Sequence, residues 1–171
     1  MARLPTHPAL DVFSNSLLVG QLNKQANGAI EFSYVPDWLK WPGASPVSLS
    51  LPLGNSKFEG TKVAAFFENL LPDNEDIRRQ VAQRVHAQGS DAYSLLDAVG
   101  RDCVGALQFL PKGFEPGPAG QVRGKPVSDE EIAAILENLA VAPLGLAEED
   151  DFRISLPGAQ EKTALLFADL F

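Results

Sequence analysis

Apolar residues along the first third of the chain recur at every second position. Leu10, Val12 and Leu18 mark a first pair of strands that turns through Ser14-Asn15-Ser16. Gly20 and Leu22 carry the second strand to Asn27-Gly28, a pair that favours a two-residue hairpin turn. Ile30, Phe32 and Tyr34 then alternate onto one face, which makes residues Ala9 to Val35 a three-strand meander. Pro36 to Lys40 fits a short helical turn, with Trp38 covering the sheet edge. Val47, Leu49 and Leu51 alternate with Ser48 and Ser50, so a further strand is predicted there.

The spacing then lengthens from two residues to three or four. Val63, Phe66, Phe67, Leu70 and Leu71 share one side of a helix that Pro72 breaks. Asp73 is placed to cap a second helix, with Ile77, Val81 and Val85 inward and Arg78, Arg79 and Arg84 outward. A third helix is predicted from Asp91 to Val99, burying Leu95, Leu96 and Val99, with Gly100 as its C-terminal stop. Cys103 to Leu110 reads as a buried strand returning to the sheet. Strands followed by helices and a returning strand predict an α+β unit, an antiparallel sheet with packed helices, over residues 8–111.

The Pro- and Gly-rich stretch 112–127 is predicted to be a linker. Behind it, Ser128-Asp-Glu-Glu131 forms a capping box, with Ile132, Ile135, Leu136 and Leu139 lining the following helix and Pro143 ending it. Glu148 to Asp151 is an acidic run. Ile154 and Leu156 read as one strand and Thr163 to Phe167 as another, which makes 128–171 the start of a second unit.

Composition narrows the function classes. The chain has 171 residues, 45% of them hydrophobic, enough for a packed core. Its formal charge of −8 lacks the clustered Lys and Arg of a nucleic-acid footprint, so no direct nucleic-acid contact is expected. The N-terminal residues contain no signal-peptide apolar run, no segment reaches membrane-spanning length, and Cys103 is alone. These features predict a cytoplasmic protein without a membrane partner.

Chemistry is concentrated late in the chain. Gly158 to Lys162 lies between two predicted strands and can be read in two ways. It is a plain hairpin with a lysine in its turn, or a loop whose backbone N–H groups and lysine hold a phosphate. A Walker A loop does not fit, because Glu161 stands where glycine must precede the lysine and a strand follows instead of a helix. Ser155, in the same segment, is a candidate phosphate acceptor. Arg101-Asp102 matches the end of a His-Arg-Asp catalytic loop without the histidine and is read as a structural ion pair. Cys103 and His86 lack a third orienting group, so Cys103 is read as a core residue. Two histidines and one cysteine are too few for a metal site built on those ligands.

Four segments together resemble a known family. They are Pro46-Val-Ser-Leu-Ser-Leu-Pro-Leu53, Phe66-Phe-Glu-Asn-Leu-Leu-Pro-Asp73, Gly100-Arg-Asp-Cys-Val-Gly-Ala106 and Phe152 to Leu166. In order and spacing they resemble the N-terminal part of HipA-type serine/threonine kinases, the toxin half of HipBA toxin–antitoxin modules. The resemblance runs from about Val12 to Leu166. It implies a small coupling domain up to the linker, then the beginning of a kinase-like N-lobe. It also implies that Ser155–Lys162 corresponds to a phosphate-binding loop. Ser155 would be the autophosphorylated serine, whose modification expels the loop and inactivates the enzyme. Pro157, Gly158, Ala159, Gln160, Glu161 and Lys162 would contact ATP. Pro157 stands where the family usually has alanine, which removes one N–H and stiffens the loop.

The family's strand lysine, catalytic aspartate and Mg²⁺ ligands lie downstream of that loop, beyond Phe171. No catalytic residue is therefore expected in this chain, and the resemblance implies a truncated or split kinase. ATP and Mg²⁺ belong to the complete kinase and are expected not to bind tightly here. The implied partners are a HipB-like antitoxin or a separately encoded HipA-like kinase core. The alternatives are one component of an active split kinase, or a non-functional remnant.

Overall fold

The computed structural model describes residues 7–102, 106–117 and 126–138. Its centre is a five-stranded antiparallel sheet. The strands are β1 (Leu10–Ser14), β2 (Leu17–Lys24), β3 (Ile30–Tyr34), β4 (Lys57–Glu59) and β5 (Leu107–Pro111), in spatial order β4-β3-β2-β1-β5. The helices are α1 (Pro36–Lys40), α2 (Thr61–Glu68), α3 (Glu75–Arg84), α4 (Ala92–Val99) and α5 (Asp129–Asn138). The predicted α+β class is the observed one.

The meander forms as its alternation requires, but the turns exchange roles. Asn15 and Ser16 both sit at positive φ, 49° and 64°, and close the tight two-residue turn between the paired Ser14 and Leu17. The predicted tight turn at Asn27-Gly28 is instead part of a longer loop, closed by Gln25 N–H donating to the Ala29 carbonyl at 2.8 Å. There only Gly28 is left-handed, and the Asn27 side chain accepts from the Ala29 N–H. In β2, Val19 is an extra residue: Val12 pairs with Gly20 and Phe13 with Leu18. This bulge lets Val19 join Leu22 in the core.

One face of the sheet carries the core. Leu10, Val12, Leu22 and Phe32 meet Val63 and Phe67 from α2, Val81 from α3, and Leu95 and Leu96 from α4. The Phe67 ring lies 5.7 Å from both Phe32 and Phe109, so one side chain links the middle of the sheet to its β5 edge. Two close approaches need glycine. A β-carbon on Gly20 would stand 2.4 Å from the Ser33 carbonyl oxygen, and one on Gly100 would stand 2.5 Å from the Phe109 β-carbon. Gly100 is therefore a packing glycine, not the left-handed stop expected. Its φ is −67°, and the chain continues through a 3-10 turn to Asp102.

The predicted strand over Val47–Leu51 is absent. Pro46 and Pro52 bracket a turn whose only sheet-like contact is an isolated bridge between Ser48 and Leu51. The alternation there was formed by a turn burying Leu51 and exposing Leu49, with no neighbouring strand. The edge strand is β4, missed because its residues, Lys57-Phe58-Glu59, are mostly charged. Lys57 there bridges Glu31 at 3.0 Å and Glu59 at 2.8 Å. Asn74, not Asp73, caps α3, accepting from the N–H groups of Asp76 and Ile77. Arg78 is also not turned outward: its Nε donates to the Pro72 carbonyl at 2.5 Å and Nη2 to the Glu68 carbonyl at 3.2 Å. That arginine ties α3 to the exit of α2, where the Glu68 carbonyl also accepts from the Leu71 N–H.

The other sheet face is covered differently. Asp11, Phe13 and Leu110 alternate away from the core residues Leu10, Val12 and Phe109, yet all three are buried. Residues 112–117 turn back along β1. Lys112 N–H donates to the Ala9 carbonyl, Gly113 N–H to Asp11 Oδ2, and Ser16 Oγ to the Gly117 carbonyl. The capping box of α5 forms in both directions, Glu131 N–H to Ser128 Oγ at 3.2 Å and Ser128 N–H to Glu131 Oε2 at 2.8 Å.

Candidate functional site

The segment Pro46–Leu53 is the most specifically built surface feature among the described residues. It is organised by Tyr34, the last residue of β3, whose ring is buried against Phe32 and Phe58. The Tyr34 hydroxyl donates to the Leu51 carbonyl at 2.5 Å and accepts from the Val47 N–H at 3.0 Å. Both arms of the turn are thus held by one oxygen. Burial raises the phenol above its ordinary range, with the Val47 N–H pulling the other way, so the hydroxyl keeps the proton it donates. Within the turn, Ser48 Oγ accepts from the Ser50 N–H, and Leu51 N–H donates to the Ser48 carbonyl. Leu51 is driven into the core and Leu49 is left 96% exposed at the apex. Upstream, Trp38 Nε1 donates to the Ser45 carbonyl at 3.1 Å and ties the loop to α1.

The second motif, Phe66–Asp73, is the end of α2 and its exit. Phe67, Leu71 and Pro72 are buried, and Arg78 and Asn74 fasten the next helix onto it. The third motif begins at Gly100 against Phe109. Arg101 offers only its carbonyl, to Gln108 Nε2 at 3.1 Å, within the described contacts. Residues 103–105 lie outside the described residues, and Cys103 with them. So do Ser155, Pro157, Gly158, Ala159, Gln160, Glu161 and Lys162, the whole predicted phosphate loop.

A polar cluster that sequence reasoning missed sits where β2 meets the start of α4. Asp91 caps α4 by accepting from the Ser94 N–H, and Lys24 Nζ reaches both its oxygens at 2.9 and 3.0 Å. Burial pushes the Asp91 carboxyl up, but bonds from Ser94 and Lys24 outweigh it and hold the group below its ordinary value. Beside it, burial and the carboxylates of Asp97 and Asp91 push Tyr93 up to about 12, and its hydroxyl donates to the Pro8 carbonyl. Burial raises Asp97 against the opposing effect of His7. This is the architecture of a helix cap rather than a reacting centre. Among the described residues no His, Cys, Asp and Glu group could hold a metal ion. The signal available in sequence was Asp91 directly before an apolar helix; the distant Lys24 could not be paired with it.

Known proteins share this fold. The family describing the HipA N-terminal domain matches residues 10–110. This chain belongs to the HipA family. It is 36% identical over 163 residues to the putative kinase Y4mE of Sinorhizobium fredii, covering 94% of this chain and 38% of that protein. It is 27% identical to the serine/threonine-protein kinase toxin HipA of Shewanella oneidensis over 159 residues, 92% of this chain and 35% of that one. A solved structure of Shewanella oneidensis HipA, in complex with HipB and operator DNA, matches with a TM-score of 0.55 and 25% identity. That match covers 75% of this chain and 29% of the solved one. The chain thus spans little more than a third of the curated HipA relatives it matches. No described helix is long and apolar enough to cross a membrane.

Proposed function

We propose that this chain is the coupling part of a HipA-type toxin system and acts as a regulatory or interaction module for a kinase body. The observation that carries this reading is the match of residues 10–110 to the HipA N-terminal domain. Its motifs serve as scaffold where they are described: a clamped turn, a helix junction and a glycine packing site. The partner classes are a HipB-like antitoxin, as in the solved Shewanella complex, or a HipA-like kinase core. ATP and Mg²⁺ would belong to the complete kinase, with Ser155 as acceptor and Pro157–Lys162 as phosphate loop. The expected compartment is the cytoplasm.

Purified chain incubated with labelled ATP and Mg²⁺ is expected to incorporate no phosphate at Ser155 and to show no thermal shift. Stoichiometric labelling of Ser155 would overturn the module reading in favour of an active kinase component. Co-purification from the producing cells is expected to recover a HipA-type kinase body or a HipB-like protein. Recovery of neither would leave the remnant reading in its place.

A further inference from the structure

Leu49 is held out rather than left out. It is 96% exposed at the apex of a turn whose two arms share the buried Tyr34 hydroxyl. A flexible loop could fold such a side chain back; this turn cannot, because Val47 and Leu51 are both fixed. The surroundings are equally specific. Between Lys40 and Lys57 the sequence holds no charged residue, in a chain where 21% of residues are charged. Ser48, Ser50, Pro46 and Pro52 therefore give Leu49 a neutral collar. The same loop carries Trp41, 46% exposed with its ring 5.1 Å from Trp38.

An uncharged loop presenting a rigid leucine has the composition of the buried centre of a protein interface, where charged residues are depleted. It offers nothing to a phosphate backbone or an anionic lipid surface, both of which need Lys or Arg. A second copy of the chain carries the same formal charge of −8, which opposes self-association. What remains is protein of the same system. The two curated relatives place 62% and 65% of their length outside the matched portion, the complements of 38% and 35%. A coupling domain in such a protein has a large neighbour to dock against.

We infer that Leu49 is a docking knob that seats in an apolar socket on the HipA-type kinase body. This rests on the module reading above and adds the contact residue to it. Leu17, at the start of β2, is also exposed, at 47%, but it is a strand residue beside Leu18, which is 37% exposed. It is not held at the apex of a turn clamped by a buried hydroxyl and serves as the control.

The experiment places the photo-cross-linker benzoylphenylalanine at position 49, or at position 17, in the protein expressed in its own cells. Position 49 is expected to cross-link to apolar residues of the kinase body, identified by peptide mass spectrometry, and position 17 is not. In parallel, Leu49→Asp is expected to leave the thermal midpoint unchanged and to reduce recovery of the kinase body by about tenfold or more, as loss of a buried interface anchor does. Cross-links from position 49 to a second copy, to antitoxin or to nucleic acid, or none while the body co-purifies, overturn the inference. Equal recovery by wild type and Leu49→Asp overturns the knob alone. If wild type recovers a HipB-like protein but no kinase body, the knob falls and the module reading stands; if it recovers neither, both fall.

Discussion

The two faces of the sheet are sealed by different means. The inner face buries Leu10, Val12, Leu22 and Phe32 under three helices, α2, α3 and α4, through apolar contact. The outer face buries Phe13 and Leu110 beside Asp11, with residues 112–117 fastened by hydrogen bonds along β1. Apolar packing is non-directional and scales with area, so the inner face supplies stability. Hydrogen bonds contribute little net energy but fix geometry, so the outer face sets where the chain runs after β5.

The difference can be broken at its strongest point first. Phe67→Ala removes the ring that touches both Phe32 and Phe109 and should cost about 3–5 kcal/mol. Denaturant unfolding should show this as a lower midpoint with an unchanged slope. A loss below about 1 kcal/mol would mean the helices do not rely on this contact. On the outer face, Asp11→Ala leaves Gln21 Nε2 and the Gly113 N–H without their carboxylate acceptor. Its cost should be smaller, about 1–3 kcal/mol. The telling readout is local: faster hydrogen exchange at Gly113 and faster tryptic cleavage after Lys112, with the α2–α4 amides still protected. Uniform loss of protection would show that the two faces are one cooperative unit.

The inner face was legible in the sequence because it is written as period. Leu10, Val12, Phe32 and Tyr34 alternate, and Val63 and Phe67 recur at helical spacing, as the observed β1, β3 and α2 require; the predicted run to Leu71 outlasts α2, which ends at Glu68. Where the determinant is a long-range polar contact, local pattern does not carry it. Asp11 was visible only as an acid in an apolar strand, and its partner Gly113 lies 102 positions away. The Val47–Leu51 stretch reads as a strand because its residue types alternate, yet its exposure does not: Leu49 and Ser50 are both exposed and Leu51 is buried. What makes it a turn, the Tyr34 hydroxyl between Val47 and Leu51, is a contact between β3 and the loop. Of the candidate site, the motif positions 46–53 and 66–73 were legible from the resemblance, whereas the exposure of Leu49 required the structure.

The smallest expected effect sharpens the comparison on the polar side, at the cap of α4. Asp91 is held below its ordinary carboxylate value, so it contributes stability above that value and loses it as pH falls through the depressed one. Asp97 is raised by burial, so its ionisation opposes folding near neutrality, and stability is regained as pH falls through the raised value towards the ordinary one. The two carboxyls therefore act in opposite directions on acidification, Asp97 first and Asp91 at lower pH. In Asp97→Asn the early gain should vanish, leaving only the acid-side loss; in Asp91→Asn that loss should shrink. The Asp91 side chain is 47% exposed, so its contribution should stay below about 1 kcal/mol and weaken with salt. Thermal midpoints measured across pH 3 to 7, roughly the interval spanned by ordinary carboxylate and neutral conditions, separate the two. If Asp91→Asn and wild type fall together in acid, the Lys24 contact is a bystander, and the cap rests on the Ser94 bonds alone.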